Sequence, residues 1–349
     1  MELYKATLKR IKPINIEIIK KAKKILDEKM KPLGSLGKLE ELATQISGIT
    51  GRLDNTISKK LHLVVSADNG IVEEGVSSCP IEYTKIVSEA MLSKVAAIGI
   101  LCDILDVDFK LIDIGIAGEI EREYPNLYRK KIKMGTNNFV YEPAMSYDEC
   151  IKAIEVGISI VEENLDYDIF SNGEMGIGNT TTSSAILYAL TGENLDLIVG
   201  RGGGLSDRGL MKKKKVIKDA VEKYNLFENN PIEILRCVGG LDIACMAGIY
   251  LGCAANSKPI LIDGFISSVA ALVAQKIVPD TVDYMIATHR SEEPGMVIIS
   301  KTLGRKTFLD MNMRLGEGTG AVLAYPIIIS ALEVMKRMKT PKEVYKILG

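Results

Sequence analysis

A doubly wound α/β fold, with a mostly parallel sheet and a small helical domain formed by both chain termini, is predicted by three features of the sequence. Five short, β-branched runs (LHLVVSADNG, FKLIDIG, YDIFSNGEMGIGNT, KPILIDGF and DYMIATHRS) each finish in small or polar residues. Helix-length segments such as SYDECIKAIEVGISIVEENL and GGLDIACMAGIYLGCAA separate them. Uniformly apolar strands alternating with helices predict a parallel sheet covered on both faces. The chain ends follow another pattern, helical before about Leu61 and again from Gly320. Residues 1–55 with 320–349 are therefore expected to form the small helical domain, and 56–319 the large α/β one.

Taken in order, NIEIIKKAKKILDEKM has apolar positions at helical spacing and is stopped by Pro32 and Gly34. A second helix starts at Ser35 with SLGKLEELATQISGI. Within DIACMAGIYLGCAA, Ala244, Gly248 and Gly252 recur every fourth residue. Such a smooth stripe serves close helix packing, either inside the chain or against another subunit.

Composition removes several function classes. With 44 basic against 45 acidic residues in 349, nothing favours nucleic acid or an anionic membrane. The basic run Lys212–Lys215 reads as a solvated helix face. Six cysteines form no C-x-x-C pair and several lie in apolar runs, as buried thiols do in a reducing compartment. Two histidines, His62 and His289, make a zinc site a poor expectation. The N-terminus lacks a signal-peptide core, and no stretch reads as the ~20 apolar residues of a membrane span. A cytoplasmic, soluble protein without a metal is expected.

Three motifs carry chemistry. GEMGIGNT, Gly173 to Thr180, nearly matches the triphosphate loop but lacks its lysine and contains Glu174. Backbone amides freed by glycines at a helix start would still hold a monophosphate. VGRGGGLSDRGLMKKKK offers a second phosphate nest at Gly202, Gly203 and Gly204, with Lys213 on the following helix. Isolated acids, Asp68, Asp113, Glu174, Asp242, Asp263 and Glu317, are scattered along the chain, most of them at or near strand ends. Ribose hydroxyls account for one such acid and proton abstraction for another. A G-x-G-x-x-G and a G-x-S-x-G are both missing, which disfavours a dinucleotide oxidoreductase and an α/β-hydrolase. In MRLGEGTGA, Glu317 sits between two glycines ahead of an apolar helix. It is either a cap or a base.

In this order the motifs resemble the nicotinate-nucleotide:dimethylbenzimidazole phosphoribosyltransferase family. The matching stretches are KPLGSLGKLEELA, SADNGIVEEGVSSCP, IDIGIAGE, GEMGIGNTT, VGGLDIACMAGIYLGCA, ILIDGFISSVAALVA and RLGEGTGAVLAYP. The resemblance implies transfer of the phosphoribosyl group of nicotinate mononucleotide to an aromatic base, with inversion from β to α and no cofactor. It places Glu317 on the catalytic base, held ionised by a helix N-terminus. Glu174 would serve the ribose or the positive charge growing on it, and Lys213 the phosphate. Gly176, Gly178, Asn179, Thr180, Gly202, Gly203, Gly204, Asp242, Asp263 and Ser291 fall on the phosphate and ribose side. Cys79, Tyr83, Val87, Met175 and Leu315 fall on the base pocket. A homodimer is implied, with a heterodimer as the alternative.

The sequence also departs from that pattern. Asn69 stands where the family usually has histidine, and Cys79 and Val87 stand where serine and glutamine are familiar. These changes spare the reacting groups and bear on the identity of the acceptor. Two rival readings follow: a subunit of a heteromeric relative acting on phenolic acceptors, and a non-catalytic nucleotide-binding subunit. Retention of Glu174 and Glu317 speaks against the second.

Overall fold

The computed structural model describes residues 1–349. Its six strands are β1 (Lys60–Ala67), β2 (Asp108–Gly115), β3 (Leu127–Arg129), β4 (Ile169–Met175), β5 (Ile260–Ile262) and β6 (Met285–Ala287). They form one sheet in the order β3-β2-β1-β4-β5-β6, and every neighbouring pair is parallel. Strand succession runs one way from β1 and the other way from β4. The crevice at the carboxyl ends of these two strands is where such sheets bind ligands.

Alternation along β1 explains why both faces are covered. Leu61, Leu63 and Val65 join one core with helices Tyr147–Glu162, Leu241–Ala255 and Phe265–Ile277. Val64 faces the other core, built with helices Ile16–Asp27, Lys38–Thr50 and Thr319–Arg337. Successive side chains of a strand point to opposite faces, so one strand serves two cores. The small-residue stripe works inside the chain. A Cβ on Gly248 would strike the Ile154 carbonyl, and one on Gly157 the Cys245 carbonyl.

Five strands lie where the sequence places them. β3 was not foreseen: it is three residues long and half-exposed, too short for a period. At the N-terminus the structure has three helices rather than two. Glu2–Arg10, the additional one, is largely polar and packs on helices Tyr147–Glu162 and Leu241–Ala255. Asn15 caps the next helix through Ile18 N. The helix expected from Ser35 starts at Lys38. The turn before it is tied by Glu40, which accepts from Leu36 N at 3.0 Å and pairs with the nearly buried Lys31 at 2.8 Å. Helix Thr319–Arg337 is long and apolar enough to cross a membrane, contrary to the sequence count, yet it packs against the sheet and helix Lys38–Thr50. All six cysteines are free, and only Cys79 is not buried.

Candidate active site

The strand ends surround a cavity of about 480 Å³, within the range of small-ligand sites. Its floor is the turn between β4 and helix Asn179–Thr191. Glu174 and Met175 end the strand, Gly176 and Gly178 shape the turn, and Asn179 and Thr180 open the helix. The second glycine loop, Gly202 to Gly204, forms one wall, with φ of +52° and +113° at Gly202 and Gly204. Left-handed backbone suits glycine and lets amides turn toward a ligand. Asp263 and Ser291 line the cavity from the β5 and β6 ends. Cys79, Tyr83, Val87 and Leu315 line the side nearest solvent.

Glu317 is held unusually. Its φ is +62°, between +87° at Gly316 and +85° at Gly318. Left-handed backbone costs a non-glycine residue roughly 1–2 kcal/mol, so the surroundings must impose it. They do so by contact. A Cβ on Gly173 would strike the Glu317 carbonyl, and one on Gly318 the His62 ring. The turn aims the carboxylate away from its own helix, and Oε2 instead accepts from Ile98 N at 3.3 Å. Ile98 lies in the first turn of helix Ala97–Ile104. A helix N-terminus does face Glu317, but it belongs to a different helix. The Ile98 amide favours the ionised form, as expected of a helix N-terminus, but it does not act alone. Burial outweighs the Ile98 hydrogen bond, and Asp263 adds to it, so the Glu317 pKa lies above the usual carboxylate value. Capping of helix Thr319–Arg337 falls to Asp263, which accepts from Gly320 N at 2.8 Å and Ala321 N at 3.1 Å.

Glu174 is the neighbouring acid, with Oε1 2.6 Å from where a side chain on Gly316 would begin. Burial, then the nearby Asp242, raises its pKa to about 8, against a hydrogen bond from Asn179. Asn179 Nδ2 also reaches Asp242 at 3.3 Å and so bridges the two acids. Burial raises Asp242 to about 7. Asp242 stands behind Gly176 and does not line the cavity.

Lys213 is likewise behind the wall. Fully buried, it donates to Thr180 Oγ1 at 2.8 Å and the Gly200 carbonyl at 3.3 Å. Burial lowers its pKa to about 8, with Glu293 opposing. The basic run containing it is not wholly a solvated face: one turn of helix points this amine inward while Lys212 and Lys215 stay exposed. Of the other acids, Asp68 accepts from Ala117 N at 2.7 Å, and Asp113 from Ile116 N at 3.0 Å beside Lys131. Neither reaches the cavity.

Sequence reasoning missed four cavity residues with chemistry: His289, Glu293, Arg314 and Phe265. His289 Nδ1 lies 3.4 Å from Asp263 Oδ1. Arg314 is the one lysine or arginine on the lining. It stands three residues before Glu317, and that adjacency was the signal available. His62, read only against a zinc site, is buried beneath Glu317.

Comparison with known proteins identifies the family and supports the fold. A family model described as phosphoribosyltransferase matches residues 11–344. The nicotinate-nucleotide–dimethylbenzimidazole phosphoribosyltransferase of Clostridium tetani is 44% identical, covering 98% of this chain and 95% of that one. The protein of the same name from Desulforamulus reducens is also 44% identical, covering 97% of each chain. The crystal structure of CobT from Thermus thermophilus superposes with a TM-score of 0.90 at 34% identity, over 94% of this chain and 98% of that one. A parallel sheet with acids at its switch point, matched over nearly its whole length, places the chain in the nicotinate-nucleotide–dimethylbenzimidazole phosphoribosyltransferase family.

Proposed function

We propose that this enzyme moves the phosphoribosyl group of nicotinate mononucleotide from nicotinate to a ring nitrogen of a benzimidazole-type base, activating a lower ligand for cobamide synthesis. The observation that carries the reading is the Gly316–Glu317–Gly318 turn, which presents a carboxylate beside Glu174 in a nucleotide-sized cavity. The bond from the anomeric carbon to the pyridinium nitrogen breaks, and its electrons neutralise that nitrogen. A lone pair of the acceptor nitrogen forms the new bond on the opposite face, which gives the α product. The acceptor's other N–H becomes acidic as this happens, and Glu317 takes the proton. A base whose pKa is lifted above ~4.3 by burial is better matched to neutral pH than a solvated glutamate. Glu174 and Asp263, which both line the cavity, stabilise positive charge on the ribose when ionised. The substrate's pyridinium, and the positive charge that grows on the ribose as its bond breaks, favour the Glu174 carboxylate over the protonated acid.

Phosphate falls to the amides of the two glycine loops and to Thr180. Lys213 acts through Thr180 and the Gly200 carbonyl, as a buried cation behind the anion. Asp242 holds Asn179 and through it Glu174. The acceptor lies against Cys79, Tyr83, Val87, Met175 and Leu315. These surfaces are mainly apolar and make no demand for a polar edge, so the enzyme accepts several bases, including benzimidazoles with fewer methyl groups and phenolics. A cytoplasmic homodimer, with the terminal segments 1–55 and 320–349 as its helical unit, completes the proposal. Incubation of the purified chain with nicotinate mononucleotide and a panel of azoles, purines and phenols, followed by mass spectrometry, tests it. Nucleotide products with azoles are expected; none with any acceptor would end this reading, and phenolic products alone would favour the heteromeric relative.

A further inference from the structure

Glu317 is fixed by a hydrogen-bonded chain that never touches the cavity. Its carbonyl oxygen lies 2.9 Å from His62 Nε2. A carbonyl only accepts, so Nε2 carries the hydrogen. His62 Nδ1 lies 2.7 Å from Ser171 Oγ, and Ser171 Oγ lies 2.9 Å from the Tyr325 hydroxyl. Each group can then be assigned one role: Tyr325 donates to Ser171, Ser171 to Nδ1, and Nε2–H to Glu317. His62 and Ser171 face each other across the β1–β4 pair. Tyr325 lies on the helix that Glu317 precedes, so the chain ties both ends of that junction to the two central strands.

The setting makes His62 a fixed donor rather than an acid or base. It is fully buried, its ring stacks on Phe109 with centroids 6.3 Å apart, and no carboxylate side chain faces it. Burial without a counter-charge keeps the imidazole neutral. A buried histidine satisfied in a core is the common case. Here, though, its one backbone partner is the strained residue of the turn, and Gly318 has no room for a Cβ because of the same ring.

We propose that His62 is a positioning residue for the reaction: with Ser171 and Tyr325 behind it, its Nε2–H holds the Glu317 peptide in the left-handed turn that aims the carboxylate at the acceptor. This rests on Glu317 being the base. A glutamine at position 62 can still place an amide hydrogen near the Nε2 site, whereas phenylalanine fills the volume without a donor.

The test is a double-mutant cycle on the full-length enzyme, with kcat and KM measured for nicotinate mononucleotide. His62→Phe is expected to lower kcat about 10-fold with KM within about 2-fold, and His62→Gln to restore most of kcat. In the Glu317→Gln background, His62→Phe should cost less than about 2-fold, because the group it positions is gone. An equal loss in both backgrounds, a loss confined to KM, or a glutamine variant as impaired as the phenylalanine one would overturn the proposal. Should His62→Phe not fold, Tyr325→Phe removes one hydroxyl from the chain and is read in the same cycle. A kcat loss of about 3-fold that disappears with Glu317→Gln supports positioning, and one that persists refutes it. Near-normal turnover of Glu317→Gln alone would instead strike at the base assignment.

Discussion

The two sides of the cavity are built to different tolerances. On the reacting side, Glu317, Glu174 and Asn179 are buried, and a Cβ on the glycines around them would strike backbone at Gly173 and Gly176 and packed side chains at Gly178, Gly316 and Gly318. On the acceptor side, Cys79 and Val87 are half-buried, while Tyr83 is 48% and Leu315 58% exposed. A substitution on the first side must displace buried backbone or packed side chains. On the second it need only move water. Reaction chemistry is therefore held by the fold, whereas acceptor choice is held by a surface that can change without disturbing it.

The comparison breaks most sharply at Glu317. Glu317→Gln keeps size and turn but cannot take a proton, so kcat should fall by ~10²-fold or more, as for loss of a general base. Because burial raises the Glu317 pKa, wild-type kcat should decline as pH falls through that raised value and level off above it. The variant should lack this acid limb. Steady-state rates across pH decide the matter, and an unchanged profile in the variant would assign the limb to another group.

Lys213→Ala probes the same side from behind. It should weaken binding of nicotinate mononucleotide about 10-fold, on the scale of one charge-assisted contact. Binding of nicotinate riboside, which lacks the phosphate, should change far less. Calorimetry with both ligands separates these cases, and equal loss for both would mean that the lysine only supports the fold.

Val87→Gln addresses the tolerant side and should have the smallest effect on rate. With the preferred acceptor, kcat should stay within about 2-fold. The spread of acceptors used in equimolar competition should narrow, since an amide that the bound acceptor covers penalises bases that leave it unpaired. Exclusive use of dimethylbenzimidazole by the unaltered enzyme would remove the basis for this expectation.

What the sequence made legible follows the same division. Strand ends rich in glycine and acids announced the reacting side, because parallel sheets put ligands there and few other uses justify such residues. Glu174 and Glu317, far apart in the chain, do meet at Gly316. The placement of Lys213 and Asp242 one layer back was not readable, since helical phase decides whether a side chain reaches a wall or stands behind it. Nor could the sequence identify the helix facing Glu317. A left-handed residue redirects its side chain, and Ile98 is brought there by tertiary packing alone. Arg314 and Glu293 sit on irregular segments without a period, where residue type is the only signal.

The Ile98–Glu317 contact joins residues 219 positions apart, and the His62–Glu317 contact spans 255. Chains emerge from the ribosome N-terminus first, and long-range pairing is slow to form. All six strands precede the proposed base in the chain, and a nascent chain ending between residues 205 and 316 would carry both glycine loops without a group to take the proton. Competence to react therefore belongs to the final tenth of the chain, where helix Thr319–Arg337 follows the turn that holds Glu317.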